Sequence, residues 1–365
     1  TDVMRAAVAL SFLLVHDQDQ LWIAYLATVV LHTTGAFFDG AKNAAAPNLT
    51  GKEGLLAGTA LLFSTRFLLM AVGSALGGWA SATFGYHVAF LINAASFLVS
   101  AYTVWLIPED ATRARRQVEV SSQVIVGIPA ASAAPHERVG NASGVTTYPP
   151  SERRASFLTE LREGLHYAVG DHFALTILIM NMIWATGGGT INIVFERIGG
   201  VRFAGAGGWD PDMGVAVMWT ATGLGLTLGM LVAHRTSIML DRRDLNYKFI
   251  GWSLIVHGVL FSIAGIMPTL MLWAVFVFLS RVVVGVEYAV QETAFQRSLP
   301  DHIRGRITTL DRGAELTIFG LSSFAAAEAI RLVTPETLTV ISGALSGLAG
   351  IVWFVRERGR PTVKP

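Results

Sequence analysis

Apolar residues fall along the chain in continuous blocks of about 18–25 positions, the length that crosses roughly 30 Å of hydrocarbon. In lipid each backbone polar group must be paired within its own segment, so the blocks are predicted to be helices rather than open sheet. We recognise about ten such spans and place them near 2–16, 21–39, 54–80, 87–107, 173–195, 213–233, 248–266, 269–294, 314–331 and 336–354.

Basic residues orient these spans. If the chain starts in the cytoplasm, almost all Lys and Arg of the connecting segments lie on the cytoplasmic side, and only Arg197, Arg202 and Arg331 lie outside. This asymmetry follows the positive-inside rule. The pattern therefore predicts a multi-pass protein of the cell (cytoplasmic or inner) membrane, with the chain start and the C-terminus in the cytoplasm.

One long connection separates four spans from six. Its middle is rich in small, polar, Pro and Gly residues and predicts a disordered linker. An amphipathic helix is predicted at 153–169, on the inner membrane surface. The predicted organisation is an N-terminal half over 1–107, a cytoplasmic linker over 108–172 and a C-terminal half over 173–365.

A weak internal repeat relates the two halves. Span two ends as AAPNLTGKE around Pro47 and span eight as SLPDHIRGR around Pro300, each with a basic turn before an outward helix. Four spans precede this turn in the second half and only two in the first. We therefore expect two further helices upstream of Thr1, which would complete two six-helix halves of the kind that transporters use.

Composition supports this class and excludes others. The chain is 52% hydrophobic and 15% charged, well below the charge of a soluble domain. There are no cysteines, and neither a phosphate-binding loop nor a metal-binding His/Asp/Glu cluster occurs. We expect no cofactor, no metal, no enzyme activity and no nucleic-acid partner, and we expect a monomer in the lipid bilayer.

Four stretches resemble the major facilitator superfamily, and within it the branch of macrolide-efflux and enterobactin-export proteins. They are FFDGAKNAAAPNLTGKEGLLAGTAL, GSALGGWASATFGYHVAFLINAASFLVSA, FLTELREGLHYAV and QRSLPDHIRGRI. The resemblance implies an all-α integral membrane bundle of twelve helices, of which this chain would hold the third to the twelfth. It also implies a secondary transporter with a small-molecule substrate.

The chain departs from the family pattern at the antiporter motif G-x-x-x-G-P-x-x-G-G. Leu69 replaces its first Gly and Ser74 its Pro, whereas Gly73, Gly77 and Gly78 remain. We interpret these three glycines, with Gly285, as positions of close helix packing. In the cytoplasmic loop motif, the matching residues are Pro300, Asp301, Arg304, Gly305 and Arg306.

Charged residues within spans are the strongest functional candidates, since each costs roughly 2.5–3.5 kcal/mol at the membrane centre. Arg66 and Arg281 lie near mid-membrane, and Glu287 follows Arg281 on one helix. Either the arginines bind anionic groups of the substrate and Glu287 carries a proton, or these residues form structural ion pairs between helices. Asn181, on a bendable, glycine-rich span, is a further candidate for the cavity, with a simple kink and a lipid-facing Trp184 as the alternative. His257 is a candidate proton site, with helix packing as the alternative.

Together with the resemblance to exporters of the major facilitator superfamily, Arg281 and Glu287 lead us to expect a proton-coupled exporter of a small amphipathic compound that works by alternating access. Uptake or facilitated diffusion on the same fold is one alternative, motivated by Leu69 and Ser74. A non-transporting receptor or scaffold is the other.

Overall fold

The computed structural model describes residues 2–106, 157–205, 208–243 and 245–357, with side chains described there except at 36–37, 39–63, 157–160 and 301–302. Every regular element in these ranges is helical, which confirms the predicted all-α fold. The α-helices, in chain order, are α1 Asp2–Ser11, α2 Leu21–Phe84, α3 Tyr86–Trp105, α4 Phe157–Gly170, α5 His172–Gly188, α6 Ile191–Arg197, α7 Pro211–Arg243, α8 Asn246–Gly265, α9 Leu270–Ser298, α10 Asp301–Ala329 and α11 Pro335–Arg356.

Side-chain caps start three of these helices. Asp171, Thr269 and Thr334 each accept a hydrogen bond from the backbone N–H three residues further on. Such caps satisfy N–H groups that have no partner inside the helix. The predicted starts of spans five, eight and ten, at 173, 269 and 336, therefore agree with the structure to within three residues.

Helix α2 differs from the two spans predicted at 21–39 and 54–80. The expected turn around Pro47 is wrong, because the backbone is helical over all 64 residues from Leu21 to Phe84. The sequence beside Pro47 is rich in Ala and Leu, which favour helix strongly enough to continue past one proline. A helix of this length extends roughly 96 Å at 1.5 Å per residue, so only part of it can cross a bilayer.

Seven helical segments within the described ranges are long and apolar enough to span a membrane. They are Ser64–Phe84, Tyr86–Trp105, His172–Arg202, Pro211–Arg243, Asn246–Gly265, Leu270–Ser298 and Pro335–Arg356. The predicted span 2–16 is not among them because α1 gives way to a 3₁₀ turn at Phe12–Leu14. The predicted span 314–331 lies in α10, whose charged residues lower its apolarity.

The chain folds into two compact units. The first contains Thr1–Gly58 and Asn93–Glu160, and the second Thr59–Ile92 and Leu161–Pro365. Segment 59–92 thus packs with the second unit, which differs from its predicted grouping with 1–107. The predicted division into halves and linker stays a prediction, since residues 107–156 lie outside the described ranges.

In the first unit a buried carboxylate joins α1 to α3. Asp2 is 5% exposed. It accepts hydrogen bonds from Ser100 Oγ at 2.6 Å and from Arg5 Nη1 at 3.2 Å. The Arg5 guanidinium lies 5.6 Å from the centre of the Phe97 ring. Arg5 is therefore held by a counter-charge and an aromatic face in this unit.

In the second unit, six helices form a bundle. Helix α8 packs between α11 and α9, α9 packs on α7, and α5 packs on both α11 and α10. Two buried apolar clusters fill it. Trp273 and Val277 of α9 belong to one cluster, and Val290 and Phe295 of the same helix belong to the other. The middle of α9 therefore lies between two apolar layers.

Glycines allow α7 and α9 to approach closely. A Cβ added at Gly285 would lie 2.9 Å from the Leu226 carbonyl oxygen and 3.1 Å from Gly229 Cα. On α2, a Cβ at Gly78 would collide with Ala216 Cβ, whereas Cβ atoms at Gly73 and Gly77 would meet nothing within 4 Å among the described atoms. Small residues therefore set the helix spacing at Gly285 and Gly78.

We predict that Gly285→Val destabilises the protein by roughly 1–3 kcal/mol, the usual cost of forcing extra methyl groups into a packed interior. Gly77→Val, which adds the same atoms at an open position, is the matched control. Thermal unfolding in detergent should show a lower midpoint for Gly285→Val alone. Equal midpoints for the two variants would contradict close packing at Gly285.

Candidate functional site

A buried polar face runs along the middle of α9. Ser280, Glu287 and Gln291 are separated by seven and four residues, so they lie on one side of a helix with 3.6 residues per turn. Their exposed fractions are 0%, 3% and 4%. Polar side chains at this depth need partners, or face a ligand or water, because burying an unpaired polar group is costly.

The C-terminal end of this face carries a three-residue network. Gln291 Nε2 donates to Asn181 Oδ1 at 2.9 Å. Asn181 Nδ2 donates to both carboxylate oxygens of Asp311, at 3.1 and 3.0 Å. Asp311 is only 8% exposed. The network therefore ties α5, α9 and α10 together through one buried carboxylate.

Further charges surround this carboxylate. Glu292 on α9 and Glu315 and Arg312 on α10 all interact electrostatically with Asp311. Arg312 Nη1 is paired with Glu315 Oε2 at 2.6 Å. The sequence analysis did not single out Asp311, although it identified its partner Asn181.

Glu287 lies one helical turn from Gln291 and lacks such partners. Its Oε1 is fully buried and makes no hydrogen bond to the described part of the protein. A carboxylate held this way is stabilised by taking up a proton or by a polar ligand.

Arg281 and Glu287 do not pair with each other, and no salt bridge joins either of them to another described residue. Six residues separate them, so they point about 120° apart around the helix and lie roughly 9 Å apart along it. The alternative from the sequence, a structural ion pair between helices, is thus not formed by Arg281 or Glu287 with any described residue.

The Arg281 side chain is buried against an aromatic ring. It is 6% exposed, and its guanidinium carbon lies 5.2 Å from the centre of the Phe261 ring on α8. Its Nε is buried and makes no hydrogen bond. Gly225 on α7 makes room for its stem, since a Cβ there would lie 2.7 Å from Arg281 Cβ.

His257 joins the same region from α8. Its Nδ1 shares a hydrogen bond of 2.6 Å with Ser280 Oγ, and it is 2% exposed. Its ring stacks near Phe261, with centres 6.3 Å apart, and lies 6.5 Å from the Trp184 ring of α5. Three helices of one bundle therefore bring Trp184, His257, Phe261 and Arg281 together.

Arg66 lies elsewhere. Its side chain is exposed on α2, with no hydrogen bond or ion pair to another described residue. The structure therefore does not bring Arg66 to Arg281 or Glu287.

The predicted loop motif begins α10. Pro300 is its N-cap residue. Arg304 crosses back to the end of α9, where Nε donates to the Gln296 carbonyl at 3.0 Å and Nη2 to the Leu299 carbonyl at 2.9 Å. Arg306 pairs with Glu163 of α4, and a Cβ at Gly305 would meet nothing within 4 Å. The side chain of Asp301 lies outside the described part.

Sequence reasoning found Arg281, Glu287, Asn181 and His257 but missed Ser280, Gln291 and Asp311. Ser280 and Gln291 carry a signal that the helical period could have shown, because they share the face of Glu287. Asp311 carried no comparable signal, since its sequence neighbours Arg312 and Glu315 made it look like part of a solvated turn. Among the described residues, no group of three His, Asp or Glu side chains could hold a metal ion.

We predict that Asn181 and Asp311 are energetically coupled by about 0.5–3 kcal/mol in a double-mutant cycle, the range for contacting buried residues. Asn181→Leu should destabilise strongly because it leaves a buried carboxylate without its donor. The same change in an Asp311→Leu background should cost much less. Thermal unfolding of the four proteins measures the coupling.

A matched control for this cycle is the Asn192–Ser323 pair. Its hydrogen bond is long, at 3.4 Å, and exposed, so Asn192→Leu and Ser323→Ala should add without coupling. Additive effects at Asn181 and Asp311 would contradict the network.

Comparison with known proteins identifies one family. The family described as Major Facilitator Superfamily matches residues 3–315, most of the chain. This is a family of secondary transporters and not of enzymes, which confirms the predicted transport class. Together with the seven apolar helices of the described residues, the match also confirms a multi-pass membrane protein. A comparison with curated proteins gives no match.

Proposed function

Since the chain belongs to the Major Facilitator Superfamily, we propose that it is a proton-coupled exporter of a small amphipathic compound. The observation that carries this proposal is Glu287, a carboxyl group buried in the bundle with an oxygen that has no hydrogen-bond partner in the described residues. Buried acidic residues of this kind in membrane helices mark proton relays.

Coupling follows from the cost of charge. An ionised Glu287 in the apolar bundle is unfavourable unless water or a ligand reaches it, so its charged form belongs to the conformation in which the polar face is open. Protonation removes that cost and allows the bundle to close. Alternating exposure to the two sides of the membrane then moves one proton each cycle.

The network at Asp311 suits a second role in the same cycle. Both oxygens of its carboxylate accept from Asn181 Nδ2, and Gln291 Nε2 donates to the oxygen of the same amide and so fixes its orientation. This arrangement links α9, which carries Glu287, to α10 and α5. Movement of α9 during the cycle would therefore be transmitted to α10.

Within the proposal, the protein works in the cell membrane as a monomer with cytoplasmic termini, and belongs to the macrolide-efflux or enterobactin-export branch. The four quoted sequence stretches and the asymmetry of basic residues support these points.

We predict that Glu287→Gln abolishes substrate-induced proton release. Inside-out vesicles containing the chain and energised with a proton gradient are mixed with amphipathic compounds, and a fluorescent dye reports loss of the gradient. The variant keeps the size of the side chain but cannot ionise, so its signal should fall to that of vesicles without the protein.

Glu328→Gln is the matched control. Glu328 is exposed at the end of α10 and pairs with Arg331 in the turn that follows, so this variant should behave like the parent. Unchanged proton release in Glu287→Gln would contradict the assigned role.

Uptake or facilitated diffusion is the second candidate, and Leu69 and Ser74 in the antiporter motif favour it. Accumulation of a labelled solute in right-side-out vesicles would support uptake. A receptor or scaffold role predicts instead that no solute moves in either direction.

A further inference from the structure

We infer that Arg281, together with the rings of Phe261, His257 and Trp184, forms a binding site for an aromatic carboxylate. The inference rests on the proposed transport function, and it names the chemical class of the substrate. The residues belong to three helices, α5, α8 and α9, of one compact unit.

Arg281 carries a buried charge that has no counter-ion among the described residues. Arg281 is 6% exposed and makes neither a hydrogen bond nor an ion pair with any described residue. Arginine stays protonated in proteins, so it cannot relieve this burial by losing its charge. A buried charge without a counter-ion is strongly unfavourable, and a bound anion would supply that counter-ion.

The guanidinium of Arg281 has N–H donors that no described residue accepts from. The guanidinium of Arg281 lies over the ring of Phe261 at 5.2 Å. All five N–H bonds of a guanidinium lie in its plane. Phe261 supplies no oxygen acceptor, so its contact leaves the guanidinium donors without an oxygen partner, which a planar oxyanion would supply. A carboxylate accepts two parallel hydrogen bonds from a guanidinium.

A row of aromatic rings continues from the Phe261 ring that Arg281 contacts. The rings of Trp184, His257 and Phe261 follow one another with centres 6.5 and 6.3 Å apart. Ser280 holds the His257 ring in orientation through Nδ1, at 2.6 Å. Aromatic rings arranged in this way favour a further flat ring by stacking or edge contact. Charge at one end and aromatic surface at the other match an aryl group that bears a carboxylate.

The experiment measures binding to the purified full chain without a proton gradient. The probe is radiolabelled naphthoate, with specific binding defined by scintillation proximity and displacement by excess unlabelled compound. Naphthylmethylamine and naphthylmethanol have the same ring system but a positive and a neutral substituent. We expect saturable binding of naphthoate, displacement by benzoate, and weak displacement by the amine and the alcohol.

Substitutions then locate the site. Arg281→Gln should weaken naphthoate binding by about tenfold or more, the loss expected for charge-assisted hydrogen bonds. The affinity of Arg281→Lys for naphthoate should lie between those of the wild-type chain and Arg281→Gln, because an ammonium supplies charge but not paired donors. Phe261→Leu should weaken binding to a smaller extent. Arg331→Gln, a change at an exposed arginine in the turn after α10, should have no effect.

Several outcomes would overturn the inference. The first is a folded wild-type chain that binds no naphthoate at millimolar concentration. The second is displacement of naphthoate by naphthylmethylamine as strong as by benzoate. The third is an unchanged affinity for naphthoate in Arg281→Gln. If Arg281→Gln does not fold, the charge series on the wild-type chain still decides the question.

The same compounds separate this inference from the proposed coupling. Naphthoate binding without proton movement in energised vesicles would support the aromatic carboxylate site and contradict proton coupling. Proton movement with amines alone would support coupling and contradict this site.

Discussion

The cost of placing ionisable groups among apolar helices governs this protein. In the second unit, Arg281, Glu287 and Asp311 are all less than a tenth exposed. Asp311 meets this cost with an amide that donates to both of its oxygens. Arg281 has an aromatic face, and Glu287 has an oxygen with no partner in the described part of the chain. The three groups are thus satisfied to different degrees, and the least satisfied ones are the best candidates for ligand and proton.

Close helix packing creates this environment. Glycines at positions 225, 229 and 285 let α7 and α9 approach until their backbones are in contact. That approach removes the space in which water could solvate Arg281 from the α7 side. The same packing places the polar face of α9 toward α5 and α8, where Asn181, Trp184 and His257 lie. Packing of small residues and placement of charge are therefore two parts of one arrangement.

Arg281 and Glu287 have separate roles in the proposed transport cycle. In the two proposals, Arg281 and the aromatic row bind an anion without any change in protonation, whereas Glu287 changes protonation without touching that anion. Both lie on α9, so a shift of this helix would affect them together. Linkage of this kind needs only that the two events favour different positions of one helix. The Asn181–Asp311 network extends such a shift to α10.

The sequence by itself determined the membrane class, the all-α fold, the family and most of the charged candidates. Hydrophobic block length, basic-residue asymmetry and the rarity of charge in apolar spans are local properties, and each has a direct physical cost in lipid. Residues such as Glu287 and Arg281 were found for this reason.

Only the tertiary structure decided which of these residues meet. It separated Arg281 from Glu287, placed Arg66 on an exposed face and joined Asp311 to Asn181, 130 residues away in the chain. It also continued α2 through Pro47, where turn chemistry predicted a break. Contacts between distant helices depend on packing and rotation of whole helices, which hydrophobic periodicity constrains too weakly to predict.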